Sequence, residues 1–200
     1  TRFAGYGGDR PVFALALRWL EERLPAPEEP VLVHGDFRMG NLMVSEDGLA
    51  AVLDWELARV GDRHQDLAYG CINSWRFGHI DQPAFGCGDL ATFWAAYEAH
   101  SGLPVDPARF RWWLVFSTLW WGLCCLQMAD IWRSGRDASL ERAVIGRRAS
   151  ETEVDLLMSA VALVNWHRDA GFCSRCGAAT SGAEGGHTRV CAGCDAQWFP

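Results

Sequence analysis

The sequence predicts an α+β protein in three parts: a small sheet built on a hairpin, a helical bundle and a short cysteine-bearing module. Three observations predict it. Residues 31–55 alternate short apolar runs with turn residues. Residues 62–170 carry apolar side chains at helical spacing. From Gly171 onward Gly, Cys and Ala dominate and that spacing is lost. Half of the 200 residues are hydrophobic and 22% are charged, enough to bury a core in one large domain or two small ones.

The elements follow in order. Asp9 is placed to cap a helix and Pro11 suits its first position, ahead of the amphipathic run PVFALALRWLEERL. Pro25, Pro27 and Pro30 end that run. VLVH (31–34) predicts a buried strand, NLMV (41–44) a second and LAAVLDW (49–55) a third, with SEDG as the hairpin turn between the last two. HQDLAYGCINSW then predicts a helix capped by Asp62. GDLATFWAAYEAHSG predicts another, closing on Gly102. Asp106-Pro107 opens a long helix that closes at Gly135, and SLERAVIGRR and ETEVDLLMSAVALVNWHRDA complete the bundle.

Charge narrows the function classes. The formal net charge is −7 and the pI about 5.3, which argues against a nucleic-acid partner, since such proteins carry a basic face. No basic start with an apolar run and a small-residue cleavage site is visible at the first residues. WWLVFSTLWWGLCCLQMA (112–129) holds no charge and has the length of a short membrane span, but polar residues dilute it and charges bracket it. A buried core helix, and no membrane, is the expectation. Cys71, Cys87, Cys124 and Cys125 are scattered and expected to be free thiols, which points to a reducing, cytoplasmic setting.

The chemistry concentrates at HGDFRMGN (34–41), which has the form H-x-D-x-x-x-x-N. Asp36 lies in the loop after a strand, where a carboxylate can take the proton of an attacking hydroxyl. Asn41 offers an amide oxygen suited to Mg²⁺, and Asp54 ends the strand that pairs with the one after Asn41. The hairpin therefore brings Asn41 and Asp54 together on one metal. Arg38 either touches phosphate or lies on the surface. Glu56 is within reach of metal or substrate. His64, His79 and His100 are expected on the surface or in helix packing.

HGDFRMGN together with VLDWELARVGDRHQDLAY (52–69) resembles the aminoglycoside phosphotransferase and choline kinase superfamily, a branch of the protein-kinase-like fold. The resemblance covers residues 1–158 and implies a C-terminal kinase lobe. It implies that Asp36 is the catalytic base, that Asn41 and Asp54 bind Mg²⁺ with ATP, that His34 braces the loop, and that Asp66 holds the loop through backbone hydrogen bonds. LDWELARVGD, SWRFG (74–78) and ERAVIGRRASETEVDLL (141–157) resemble one subfamily, which includes kinase-like domains fused to acyl-CoA dehydrogenases. The acceptor implied is a small-molecule hydroxyl, with a hydroxyacyl thioester favoured over an aminoglycoside.

A complete kinase also has an N-terminal lobe, with a glycine-rich loop over ATP and a strand Lys. GYGG (5–8) precedes a helix, and the chain contains no Lys. The expectation is a lobe cut from a longer chain, or a relic, weak or inactive alone.

Cys173, Cys176, Cys191 and Cys194 form two C-x2-C pairs, spaced for one tetrahedral Zn²⁺, with Gly and Ala after the pairs suiting knuckle turns. His187 is a substitute ligand in principle, but four Cys already close a structural site. WHRDAGFCSRCGAAT with RVCAGC and WFP resembles the zinc ribbon of Nudix-family NADH pyrophosphatases over residues 160–200. The domains expected are thus 1–158, a connecting helix over 159–170 and the ribbon over 171–200. A fusion of two partial genes is the simplest expectation. The alternatives to a phosphotransferase are a non-catalytic zinc-ribbon binding module and a fragment of an NADH pyrophosphatase.

Overall fold

The computed structural model describes residue 5, residues 10–183 and residues 188–198. Asp9, most of the GYGG run and His187 lie outside the described residues. The chain divides into two compact units, Thr1–Glu153 and Val154–Pro200. The division falls within one helix, Ala149–Asp169, whose residues the sequence reading shares between a first domain ending at 158 and a connecting helix.

In the first unit, helix α1 (Pro11–Glu22) starts with Pro at its first position, as expected, and Arg10 occupies the cap without a side-chain bond. It buries Phe13, Ala16 and Leu20 on one face. Four strands follow: β1 (Val31–Val33), β2 (Leu42–Ser45), β3 (Gly48–Val52) and β4 (Arg59–Gly61). They form two separate two-stranded sheets rather than one. β2 and β3 are the expected hairpin, and β1 pairs antiparallel with β4. The separation has a local cause: 3-10 turns at Met39–Asn41 and Trp55–Leu57 divert the chain on either side of the hairpin.

Helix α2 (Arg63–Tyr69) is capped by Asp62, whose side chain accepts from the His64 amide. It ends sooner than periodicity suggests, and a 3-10 turn at Asn73–Trp75 follows. Helix α3 (Leu90–Ser101) closes on left-handed Gly102. Helix α4 (Pro107–Arg133) opens on Asp106, which accepts from the amides of Ala108 and Arg109. By length and composition α4 suits a membrane span, yet it packs against α1, α2 and helix α5 (Leu140–Arg147). Phe110, Trp112, Leu119, Leu123, Cys125 and Leu126 are buried along it.

Beneath α2 lies an ionic knot. Asp62 accepts from Arg109 Nε at 2.6 Å, Trp113 Nε1 at 2.8 Å and His64 Nδ1 at 3.1 Å. His64 is fully buried, and its other nitrogen accepts from the Asp106 amide. Glu28 pairs with Arg63, and Arg109 also donates to the Ala26 carbonyl, so the knot ties the 23–30 connection to α2 and α4. Glu28, Asp62 and His64 hold their ligand-type atoms within 4.8 Å of one another. Arg63 and Arg109 already neutralise both carboxylates, so the group is structural.

Helices α4 and α5 approach closely at Gly146. A Cβ added at Gly146 would stand 2.7 Å from Ala129 Cα and 2.8 Å from Ala129 N. Backbone cannot yield as a flexible side chain does. Gly146→Ala is therefore expected to cost about 1–3 kcal/mol, read as a lower urea midpoint, and an unchanged midpoint would show that the helices separate freely.

Helix α6 (Ala149–Asp169) begins in the first unit, and its second-unit part leads into a three-stranded antiparallel sheet. Its strands are β5 (Thr180–Ala183), β6 (Thr188–Cys191) and β7 (Gln197–Trp198), with β6 central. Arg189 binds His167, the Thr180 hydroxyl and the Thr180 carbonyl, joining the end of α6 to the sheet.

Candidate active site and zinc centre

The loop between β1 and β2 is built by alternation. Phe37 and Met39 pack into the cluster of Leu67, Ala68, Phe85 and Phe110, and Phe37 meets Phe85 edge-on at 5.5 Å. Asp36 and Arg38, between and before them, are left for the opposite side. Gly35 takes φ +85°, and a Cβ there would stand 2.6 Å from the Leu57 carbonyl oxygen, so the turn accepts only glycine without strain.

Asp66, on α2, accepts from the amides of His34 at 2.6 Å and Gly35 at 2.9 Å. His34 is buried, with Nε2 2.7 Å from the Leu53 carbonyl. Its Nδ1 accepts from the Asp36 amide at 3.2 Å, which puts the ring proton on Nε2. One imidazole thus spans from the loop to the end of β3.

Asp36 is surrounded by donors. Asn41 Nδ2 lies 2.7 Å from its Oδ2 and 2.9 Å from its backbone carbonyl. Arg38 Nε lies 3.2 and 3.3 Å from its two carboxylate oxygens. The Arg38 guanidinium stacks over Trp75, 4.7 Å from the ring centroid. Tyr69 is buried beside Asp36; burial first, then the Asp36 charge, pushes its phenol above the usual range.

Asn41 and Asp54 are adjoined through the backbone. The Asn41 carbonyl accepts from the Leu53 amide at 2.8 Å, extending the β2–β3 ladder by one step. Asp54 is exposed and held in the left-handed region, at φ 66° and ψ 59°. Its carboxylate makes no hydrogen bond or ion pair among the described residues. The same holds for the Asn41 amide oxygen and for exposed Glu56. Two hard oxygen donors left open at one hairpin end fit a Mg²⁺ that keeps most of its waters. Asp36, Asp54 and Glu56 do not converge into one tight acidic cluster. His64 is locked in the ionic knot, while His79 and His100 are exposed.

Two residues at the site were not legible as such. Tyr69 lies one turn beyond Asp66 on α2, and that i, i+3 spacing puts both on the face turned to the loop. Trp75 has no comparable signal, because a 3-10 turn places it.

In the second unit the four cysteines converge. Their sulfurs lie within 4.8 Å of one another, with Cys173–Cys194 at 3.7 Å and Cys176–Cys191 at 3.3 Å. Tetrahedral zinc, with Zn–S near 2.3 Å, needs S···S separations of about 3.8 Å. The two knuckles repeat one geometry. Arg175 N donates to Cys173 Sγ and Gly193 N to Cys191 Sγ. Gly177 N donates to the Cys173 carbonyl and Asp195 N to the Cys191 carbonyl, with positive φ at both Gly177 and Asp195. Amide donors aimed at two sulfurs fit thiolates, so the donor set fits a closed structural Zn²⁺ site.

Comparisons with known proteins agree with both halves. A sequence model of the phosphotransferase enzyme family matches residues 4–113. A model of the NADH pyrophosphatase zinc ribbon domain matches residues 168–199. The chain is 42% identical to acyl-CoA dehydrogenase family member 10 of Mus musculus over 64 residues, 31% of this chain and 6% of that protein. It is 28% identical to a probable acyl-CoA dehydrogenase of Arabidopsis thaliana over 142 residues, 62% of this chain and 17% of that one. An aminoglycoside 3'-phosphotransferase of Escherichia coli is 39% identical over 51 residues, 24% of this chain and 19% of that protein. The crystal structure of a Ralstonia eutropha protein assigned as an aminoglycoside phosphotransferase superposes with a TM-score of 0.65 at 26% identity, covering 78% of this chain and 50% of that one. The chain thus spans less than a fifth of each of these curated relatives and half of the solved structure.

Proposed function

The chain belongs to the phosphotransferase enzyme family, and from that premise we propose that its first unit transfers the γ-phosphate of Mg-ATP to a small-molecule hydroxyl. The observation that carries this reading is the Asp36 carboxylate, held by Asn41 and Arg38 on a loop that Asp66 and His34 fix. Asp36 orients the acceptor hydroxyl and takes its proton as the oxygen bonds to phosphorus and the bond to ADP breaks. The Arg38–Asp36 contacts are long for an ion pair, so an acceptor hydroxyl displaces them at modest cost. Arg38, carried on Trp75, then supplies positive charge beside the phosphate, in a chain without lysine. Asn41 and Asp54 hold Mg²⁺, which when bound neutralises phosphate charge. Glu56 stands next to it.

A nucleotide also needs a cover. Leu32, Met43, Leu49, Leu53, Trp55 and Val60 leave between 44% and 71% of their surface exposed along the two sheets flanking Asp54. We place a nucleotide-covering lobe on this apolar surface, within a longer chain or brought by another, in the cytoplasm. The residues 1–200 alone are expected to turn over weakly or not at all.

The test is ADP release from Mg-ATP with a panel of hydroxyl metabolites, hydroxyacyl thioesters included, in the protein as its cells make it. Asp36→Asn is expected to lower turnover at least about a hundredfold while ATP still binds. Turnover indifferent to that change would remove Asp36 from the chemistry. Zinc binding with no ATP binding would favour the rival reading, a zinc-stabilised binding module, which the fully formed cysteine centre supports.

A further inference from the structure

A cavity of about 220 Å³ lies between α1 and α4 in the first unit. Leu17, Leu20 and Leu24 line one wall, and Trp112, Phe116 and Trp120, at one-turn intervals along α4, line the other. The Phe116 ring lies nearly parallel to both indoles, with centroids 5.6 and 6.5 Å away. The Trp112 indole N–H donates to the Leu20 carbonyl at 3.1 Å, so it offers a ligand no donor. Every lining side chain is apolar except Glu21. None of these residues belongs to the phosphotransfer site.

Charge and size identify the occupant. Glu21 makes no hydrogen bond or ion pair among the described residues. The arginines near it in sequence are taken: Arg18 and Arg23 both bind Glu22, at 2.8 and 3.1 Å. Arg109, on α4, binds Asp62. The lining therefore carries one uncompensated negative charge. Glu21 is exposed, as is Leu24 at 71%, so the two mark the mouth. Aromatic faces carry partial negative charge and attract cations. A carboxylate beside three such rings repels an anion and holds an ammonium. A neutral apolar molecule would use the walls and leave Glu21 idle. An apolar cavity of about 150 Å³ holds benzene. At about 220 Å³ this one holds a single ring with a short side group. It falls short of the roughly 300 Å³ at which drug-sized and cofactor sites begin.

We propose that this cavity binds a small lipophilic cation, an aryl- or alkylammonium compound. Its apolar body lies against Trp112, Phe116 and Trp120, and its ammonium pairs with Glu21 at the mouth. The ion pair faces water and adds little on its own, so burial of the body supplies most of the affinity. For a ligand of one ring the dissociation constant is on the order of 1 mM. Nothing in this binding requires the phosphotransferase site to work.

Benzylammonium, benzyl alcohol and benzoate test it, since they share one ring and differ in charge at neutral pH. Each is titrated into the 200-residue zinc-loaded chain while the methyl resonances of Leu17, Leu20 and Leu24 are followed by NMR. Benzylammonium is expected to shift these methyls and to bind about fivefold more tightly than benzyl alcohol. Benzoate is expected to shift none. Glu21→Gln is expected to bring benzylammonium down to the level of benzyl alcohol and to leave the alcohol unchanged. Leu17→Trp, which fills the cavity, is expected to abolish binding of both. Glu21 is exposed and Leu17 half-buried, and far-UV circular dichroism reports that each variant is folded. Methyls indifferent to all three probes overturn the proposal. So does equal binding of the ammonium and the alcohol, a preference that survives Glu21→Gln, or binding that survives Leu17→Trp.

Discussion

Stripping the metal from the ribbon is expected to unfold the described residues of the cysteine module, 171–183 and 188–198, together. The module is about thirty residues long and has little to replace the ion with. Its sheet is three short strands, and Cys173, Thr188 and Cys191 are its buried side chains among the described residues. A core of that size does not outweigh chain entropy. Zinc binding, worth about 10–16 kcal/mol in small structural sites, becomes the folding free energy of the module. Hydrogen exchange before and after chelation would show it. The Gly177 and Asp195 amides, bonded to the Cys173 and Cys191 carbonyls, should lose protection together with the β5–β6 ladder. Amides along α4 should keep theirs, since that helix belongs to a unit with its own core. Cys176→Ser should reproduce the chelated pattern. A ribbon still protected without zinc would mean that the knuckles are preformed.

Breaking the ionic knot is expected to be the largest single-residue loss in the first unit. Arg109→Met removes a nearly buried guanidinium from Asp62 and also strips the Ala26 carbonyl of its donor. What remains is a carboxylate, 11% exposed, without its cation, at a cost of about 3–5 kcal/mol. Urea unfolding near neutral pH measures this, and a loss under about 1 kcal/mol would show that water repairs the gap. The pH dependence follows from the same group. Burial acts to raise the Asp62 pKa, but hydrogen bonds from His64, Trp113 and Arg109 more than reverse that and hold it well below the carboxylate range. The folded-state value is depressed, so the contribution is complete above the unfolded-state pKa of about 3.9 and fades as pH falls below it. Acid unfolding of Arg109→Met should be less steep in that window than that of the parent.

How far residues foretell this structure depends on whether their signals are local. The β2–β3 hairpin is legible because the SEDG turn and two apolar runs sit within fifteen residues. The long helix α4 announces itself by the Asp106-Pro107 start and the glycine at its close. The cysteine cluster is legible, since two C-x2-C pairs leave a tetrahedral ion little alternative. β4 is not, for Arg59–Gly61 has one apolar residue and becomes a strand only because β1 offers an edge. The early end of α2 is likewise non-local, as Ile72 and Trp75 turn back into a cluster with Tyr69. At the site, Asp36, Asn41 and Asp54 stand out by order and hairpin geometry. That Arg38 rests on Trp75, and that Tyr69 backs Asp36, depends on side chains brought together by three separate elements.

The left-handed backbone at Asp54 sets two selective forces against each other. Glycine would occupy that conformation with less strain than any side chain, so stability alone favours losing the carboxylate. A lineage that did not use the proposed Mg²⁺ position would have a one-step path to a sturdier chain without it. Keeping aspartate there maintains a small, permanent instability at the end of the hairpin. Residue 54 is therefore a position at which neglect of the proposed phosphotransfer site would become visible in descendants of this sequence.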